Sequence, residues 1–294
     1  MVRLVEHSTS GALVECAGGV RLELDFRAPG PRATALAPLL PAPLPAPLPA
    51  SAPAAPAAAA RQGGRAAPAD ECESDGEAAW AEPLFSGASW GAVLWDPALV
   101  LSQHVEHASR ADPAWLAGKT VLELGACHGL PALVSALHGA TTVVLSDMAP
   151  YVETARATLA LNRAALPAAA RVEALELEWG PEGAAEFVRR YGRADLVLAS
   201  DCVSTDVYGR RSWEALVGVL GHVCRGTALV CSVRRPGDGL DEFLALLASA
   251  MDKAGELHVE PAPELVPALT QRGPGAFVVY RFLARACAPA PAPV

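Results

Sequence analysis

Thr120-Val-Leu-Glu-Leu-Gly-Ala-Cys-His-Gly-Leu-Pro-Ala-Leu-Val-Ser-Ala-Leu-His-Gly139 decides the fold. It opens on an apolar strand, Thr120–Leu124, and turns through Gly125 and Gly129. Leu130, Leu133, Val134 and Leu137 then recur at helical spacing, and Gly139 closes the helix. A buried strand, a glycine turn and a helix make a βα unit, whose ligand site lies beyond the carboxyl end of the strand.

The same alternation continues outward. Thr141–Ser146 reads as a second buried strand ending at Asp147, followed by a helix over about Tyr151–Ala165. Arg171–Glu176 is a third strand with Trp179 just past it, and Pro181–Tyr191 a helix. Ala194–Ser200 is a fourth strand leading into Asp201, and Trp213, Leu216, Val217 and Leu220 mark the next helix. Thr227–Val233 is a fifth strand, and Leu240, Phe243, Leu244 and Leu247 mark another helix. Two more strands are expected near Leu257–Glu260 and Ala276–Leu283. With no room for a helix after it, the last strand forms an antiparallel pair. The expected class is α/β: a doubly wound, Rossmann-like sheet of seven strands covered by helices on both faces.

Other segments are organised differently. Residues 1–30 read as an accessory hairpin, in which Leu13–Cys16 and Val20–Phe26 flank Ala17-Gly-Gly. Such a hairpin needs the main domain to pack against. Residues 31–79 are a Pro/Ala-rich insertion containing Leu40-Pro-Ala-Pro-Leu-Pro-Ala-Pro-Leu-Pro-Ala50, expected to be disordered or polyproline-like. The main domain is expected over residues 80–285 and a disordered tail over 286–294.

Of the 294 residues 52% are hydrophobic, enough for a sizeable core, and the net charge of -9 argues against non-specific attraction to a bare phosphate backbone, a local basic patch aside. The 7 cysteines form no C-x-x-C pair and no metal-ligand spacing, which fits reduced thiols in the cytoplasm or the nucleus. The N-terminus makes a poor secretory signal, and no stretch is long and apolar enough to span a membrane. A monomer is expected, with neither a nucleic-acid nor a membrane partner.

The chemistry concentrates at the carboxyl ends of the strands. Gly125 and Gly129 are four apart with Cys127 between them, so the G-x-G-x-x-G spacing of a dinucleotide site is missing. An acid two residues before the first glycine, Glu123, is instead what methionine-nucleoside cofactors meet. Asp147 is placed to accept hydrogen bonds from ribose hydroxyls, or to cap the helix that follows. Asp201 ends the fourth strand, where a carboxylate can hold an incoming amine. Around Trp90-Gly-Ala-Val-Leu-Trp-Asp-Pro, Leu94, Ala98, Leu101 and Val105 share a helical face, and Asp96-Pro97 reads as an N-cap and first turn.

Four motifs in order, Leu94-Trp-Asp-Pro-Ala-Leu-Val-Leu101, Val121-Leu-Glu-Leu-Gly-Ala-Cys-His-Gly-Leu-Pro131, Glu178-Trp-Gly180 and Ala199-Ser-Asp-Cys-Val-Ser204, resemble the seven-strand protein-lysine methyltransferases of the methyltransferase-like group. The resemblance covers roughly Trp80–Arg285. It implies S-adenosyl-L-methionine as cofactor, held by Trp95, Glu123, Gly125, Ala126, Cys127, Gly129, Asp147, Trp179 and Ser200, and a protein substrate whose lysine meets Asp201. Two positions depart from the family pattern. Cys127 stands where the family usually has glycine, and Ser204 where it has the tyrosine of an acid-x-x-tyrosine motif. Tyr208 is the candidate substitute for that tyrosine. A methyltransferase acting on protein histidine or arginine or on a small molecule, and a non-catalytic module of the same fold, are the alternatives.

Overall fold

The structure is a computed structural model that describes residues 2–8, 11–25, 94–203, 205–235, 237–261, 263 and 277–285. The Pro/Ala-rich stretch, the Trp90 end of the first motif and the C-terminal tail lie outside the described residues. Three strands come first: β1 (Arg3–Ser8), β2 (Gly11–Glu15) and β3 (Arg21–Asp25). The main part alternates α1 (Asp96–Ala111), β4 (Thr120–Leu124), α2 (Leu130–Leu137), β5 (Thr142–Asp147), α3 (Ala149–Asn162), β6 (Arg171–Glu176), α4 (Pro181–Tyr191), β7 (Ala194–Ser200), α5 (Thr205–Val223), β8 (Cys224–Val233), α6 (Leu240–Ala250), β9 (Asp252–His258) and β10 (Phe277–Leu283).

These last strands form one seven-stranded sheet in the order β6-β5-β4-β7-β8-β10-β9. β4 pairs in parallel with β5 and β7, β5 with β6, and β7 with β8. β10 runs antiparallel to both β8 and β9. The chain starts in the middle and winds to one edge, then returns to the centre and winds to the other. The switch point lies between β4 and β7, at the end of the glycine turn.

Period-two alternation sorts the strands' side chains onto two cores. Val121, Leu196, Leu198, Leu229, Cys231, Phe277 and Val279 join one buried cluster with residues of α1 and α2. Leu122, Leu124, Val197, Ala199, Ala228, Val230, Val278 and Phe282 join the other with residues of α4, α5 and α6. Trp213 anchors the second core, its Nε1–H bonded to the carbonyl of Val203 at 3.0 Å. That bond ties α5 to the segment just past Asp201.

The expected hairpin is present as β2–β3, and β1 extends it to a three-stranded antiparallel sheet in the order β1-β2-β3. The strand was missed because Arg3–Ser8 shows no clean apolar alternation. Val14, Leu22 and Leu24 are buried and belong to the first core. Asn162 completes the docking. Its side-chain oxygen accepts from the N–H of Glu23 at 2.7 Å, and its amide donates to the carbonyl of Glu23 at 2.6 Å. One asparagine thus satisfies the edge strand β3 as a neighbouring strand would.

Element ends moved where burial did not mark them. The strand expected near Leu257–Glu260 begins earlier, at Asp252, and almost every residue of β9 is exposed or half-buried. Its register with β10, Val278↔His258 through Leu283↔Asp252, holds it instead of an apolar stripe. α1 has Trp95 as its N-cap and Asp96 inside the first turn, one residue before the expected cap.

Candidate active site

β4 hands the chain to α2 through three left-handed residues, Gly125 (φ 61), Cys127 (φ 48) and Gly129 (φ 70). The end of β5 stitches this turn in place. The N–H of Ala126 donates to the carbonyl of Ser146 at 2.9 Å, Ser146 Oγ donates to the carbonyl of Glu123 at 2.7 Å, and the N–H of Cys127 donates to Asp147 Oδ2 at 2.8 Å. The two glycines serve different ends. A Cβ on Gly129 would stand 2.1 Å from Leu145 Cδ2, so this glycine lets α2 close onto β5. A Cβ on Gly125 would meet Cys202 Sγ at 2.9 Å and Trp179 Cζ2 at 3.5 Å. Gly125 therefore lies beside the indole of Trp179.

Two carboxyl groups flank the turn. Glu123 is wholly buried, its Oε2 accepting from the N–H of Ala132 at 2.9 Å in the first turn of α2, while Oε1 has no hydrogen-bond partner. Burial pushes its carboxyl up to about 8, against the pull of the Ala132 N–H and with a further push from Asp147. Glu123 thus supports the turn from beneath. Asp147 is half-buried. Besides Cys127 it accepts from the N–H of Met148 at 2.8 Å, and burial raises its carboxyl to about 6. Met148, not Asp147, is the N-cap of α3.

The other residues arrive on neighbouring strand ends. The N–H of Leu177 bonds the carbonyl of Asp147 at 2.8 Å, which brings the end of β6 alongside that of β5. Trp179 follows, in a turn that α4 holds closely, since a Cβ on Gly183 would stand 2.2 Å from the carbonyl oxygen of Glu178. Ser200 and Asp201 end β7 beside the turn. Cys202, wholly buried under Gly125, points its thiol at the carbonyls of Leu124 (3.5 Å) and Ser200 (3.4 Å). Burial raises the thiols of Cys127 and Cys202, so both pack as small apolar groups. Gly125, Ala126, Cys127, Asp147, Trp179, Ser200 and Asp201 therefore gather on the carboxyl ends of β4–β7.

Trp95 is half-buried at the start of α1, and its neighbour Asp96 is one of the charges facing Arg235. Tyr208 lies in the first turns of α5, and its side chain is outside the described residues. Arg235 is the residue that sequence reasoning missed. Its guanidinium forks onto Asp201, Nη1 to Oδ1 at 3.0 Å and Nη2 to Oδ2 at 2.8 Å. The signal was available, for Arg234-Arg235 directly follows β8 at the same end of the sheet.

A family model described as lysine methyltransferase matches residues 83–250. The chain belongs to this family. It is 30% identical over 179 residues to protein N-lysine methyltransferase METTL21A of Mus musculus, covering 59% of this chain and 74% of that protein. The METTL21A of Danio rerio is 35% identical over 163 residues, covering 53% of this chain and 66% of its own length. Secreted RxLR effector protein 48 of Plasmopara viticola is 32% identical over 130 residues, covering 40% of this chain and 66% of that protein. The chain thus spans about two thirds of the length of the last two proteins.

Lysine methyltransferases of this fold use S-adenosyl-L-methionine, and the residues present fit it. Asp147 offers a carboxylate bonded to the Cys127 N–H beside a turn without a side chain at Gly125, and Trp179 offers a flat apolar wall at the same turn. Vicinal hydroxyls suit the first and an adenine base the second. Glu123 is sealed beneath them and reaches the turn through the Ala132 N–H.

Proposed function

We propose that the chain methylates lysine side chains of a protein substrate, with Asp147, the Gly125–Cys127 turn, Trp95, Trp179 and Ser200 holding S-adenosyl-L-methionine and Asp201 receiving the acceptor amine. One observation carries the reading beyond the family. The carboxylate of Asp147, bonded to Cys127, and that of Asp201, gripped by Arg235, stand on strand ends either side of one glycine turn. One is placed for the nucleoside and the other for the nucleophile.

S-adenosyl-L-methionine supplies a methyl group on a cationic sulfur, which leaves as a neutral thioether when the acceptor nitrogen takes the methyl. The protein's work is to position the acceptor and to exclude water. Asp201 is fixed for this task. Its φ is 55, its N–H is bonded to the carbonyl of Cys231 at 2.9 Å, and its side chain is 10% exposed. Its oxygens can accept an amine N–H and so aim the nitrogen lone pair. Ser204 leaves that carboxylate without the tyrosine of the family motif, and Tyr208, one helical turn on, is the candidate to frame the amine. The five described cysteines are all free thiols, which supports a reducing compartment, the cytoplasm or the nucleus. Among the described residues no helix is long and apolar enough to cross a membrane.

Incubation with methyl-labelled S-adenosyl-L-methionine and a cell extract tests the reading, with Asp147→Ala run alongside. A discrete labelled protein band that the variant loses is expected, with methyl-lysine found on mapping. Label on histidine or arginine, or on no protein although S-adenosylhomocysteine binds, would overturn lysine methylation as the activity.

A further inference from the structure

Asp201 is not a lone carboxylate. The fork of Arg235 engages both its oxygens, and the pair is partly sheltered, with side-chain exposures of 10% and 34%. The loop after β8 is built to present that fork. The N–H of Arg235 donates to Asp238 Oδ2 at 2.8 Å, and the other oxygen of Asp238 takes the N–H of Leu240 at 3.0 Å, at the start of α6. A surface cavity of about 330 Å³ is lined in part by Arg235, Asp238 and Leu240. Among the described residues the charged groups facing Arg235 are Asp201 from β7, Asp238 from its own loop and Asp96 from the start of α1.

This arrangement addresses a difficulty in the chemistry. A lysine amine attacks only when neutral, and an unbalanced carboxylate favours the ammonium form, which has no lone pair. We propose that Arg235 is a positioning residue for the acceptor: by balancing Asp201 it lets that carboxylate orient a neutral lysine amine instead of trapping an ammonium ion. The proposal rests on the reading that Asp201 meets the acceptor. A carboxylate has about four lone-pair sites and a bidentate arginine uses two, so Asp201 can serve both partners at once. The guanidinium keeps its charge at every working pH, so the balance is permanent. The ammonium releases its proton to bulk water. The freed lone pair then forms the N–C bond as the S–C bond breaks, and the electrons of that bond leave on sulfur.

The test uses the protein from the labelled band, purified and held at saturating concentration, with kcat measured from about pH 6 to about pH 10. In Arg235→Met, kcat at pH 7 is expected to fall about tenfold or more, and its half-maximal pH to rise by roughly one to two units. Activity should approach that of the unmodified chain at high pH. Arg235→Lys keeps the charge and should keep the midpoint within about half a unit. Calorimetric binding of S-adenosylhomocysteine checks that each variant is folded. If Arg235→Met fails that check, Arg235→Gln, which is uncharged but can still donate to Asp201, takes its place with the same expectation. An equal loss of kcat at every pH, or no loss, overturns the proposal. The reading beneath it fails separately, if Asp201→Asn leaves kcat unchanged or if the unmodified chain labels no protein.

Discussion

Glu123→Gln separates the charge of the buried acid from its shape. In the native chain this carboxyl has no exposure, one bond from the Ala132 N–H at 2.9 Å, and an Oε1 with no partner. Its pKa is raised from 4.5 to about 8. The folded chain therefore keeps a proton that the unfolded chain releases, and stability falls as pH rises through that window. The slope reaches about 1.4 kcal/mol per pH unit, so the deficit at pH 8 is on the order of a few kcal/mol. Glutamine keeps the acceptor for Ala132 but exchanges the orphan oxygen for an orphan amide donor, which costs about 1–3 kcal/mol, much as the protonated acid's own hydroxyl does. At pH 5 the two chains should be within about 1 kcal/mol, and at pH 8 the variant should be the more stable by roughly 2–4 kcal/mol. Urea unfolding of both at the two pH values, without cofactor, measures this directly. The contribution of Asp147 is common to both chains and largely cancels. A stability difference that does not change between pH 5 and pH 8 would refute the reasoning, because Glu123 would then hold the same charge in the folded chain as in the unfolded one.

Three further outcomes are expected. Gly129→Ala places a Cβ 2.1 Å from Leu145 Cδ2 at φ 70, and should cost about 2–4 kcal/mol in urea unfolding, from overpacking plus left-handed strain. Gly125→Ala meets only Cys202 Sγ at 2.9 Å inside 3 Å, and should cost less. Asn162→Ala removes both bonds to Glu23 and should lower stability by about 2–3 kcal/mol, with amide exchange accelerating first in β2 and β3. With its carboxyl near 6, Asp147 should hold S-adenosylhomocysteine with an affinity that is flat above about pH 7 and falls as pH drops through 6, since a protonated carboxyl accepts fewer bonds. In Asp147→Asn, calorimetry should show an affinity about tenfold lower at pH 8 and no such pH dependence.

The centre of the sheet was legible because β4 and β7 are buried along most of their length, and the edge strand β6 because it still buries Val172 and Leu175. Thr120–Leu124, Arg171–Glu176 and Ala194–Ser200 were read with the bounds they have. β1 escaped because Arg3–Ser8 has no clean apolar alternation, and the start of β9 was misplaced because exposed residues paired with β10 carry it. The glycine turn showed a similar limit. Gly125 and Gly129 look alike in sequence, and only packing sets one against Cys202 and Trp179 and the other against Leu145. Residues contributed by adjacent strand ends were found one by one, since each stands just past an apolar run. Arg235 was not found, because pairing it with Asp201 across 34 positions requires the order β7-β8 and the turn set by Asp238.

The acids of this site share one logic. A site for a cationic cofactor and an amine needs carboxylates, but carboxylates facing one another in a half-buried cleft repel and are expensive to desolvate. The chain resolves the conflict in two ways. Beneath the glycine turn burial raises Glu123 to about 8, so near neutral pH its charge is held back by a proton, while Asp147, at about 6, is released first. Past the end of β7 Asp201 is balanced by the fixed charge of Arg235. In the proposed reading, protons suit the first position because they can leave when a cationic cofactor arrives. An arginine suits the second because it cannot leave by deprotonation, so a lysine acceptor would meet a carboxylate that accepts hydrogen bonds without demanding a positive charge in return.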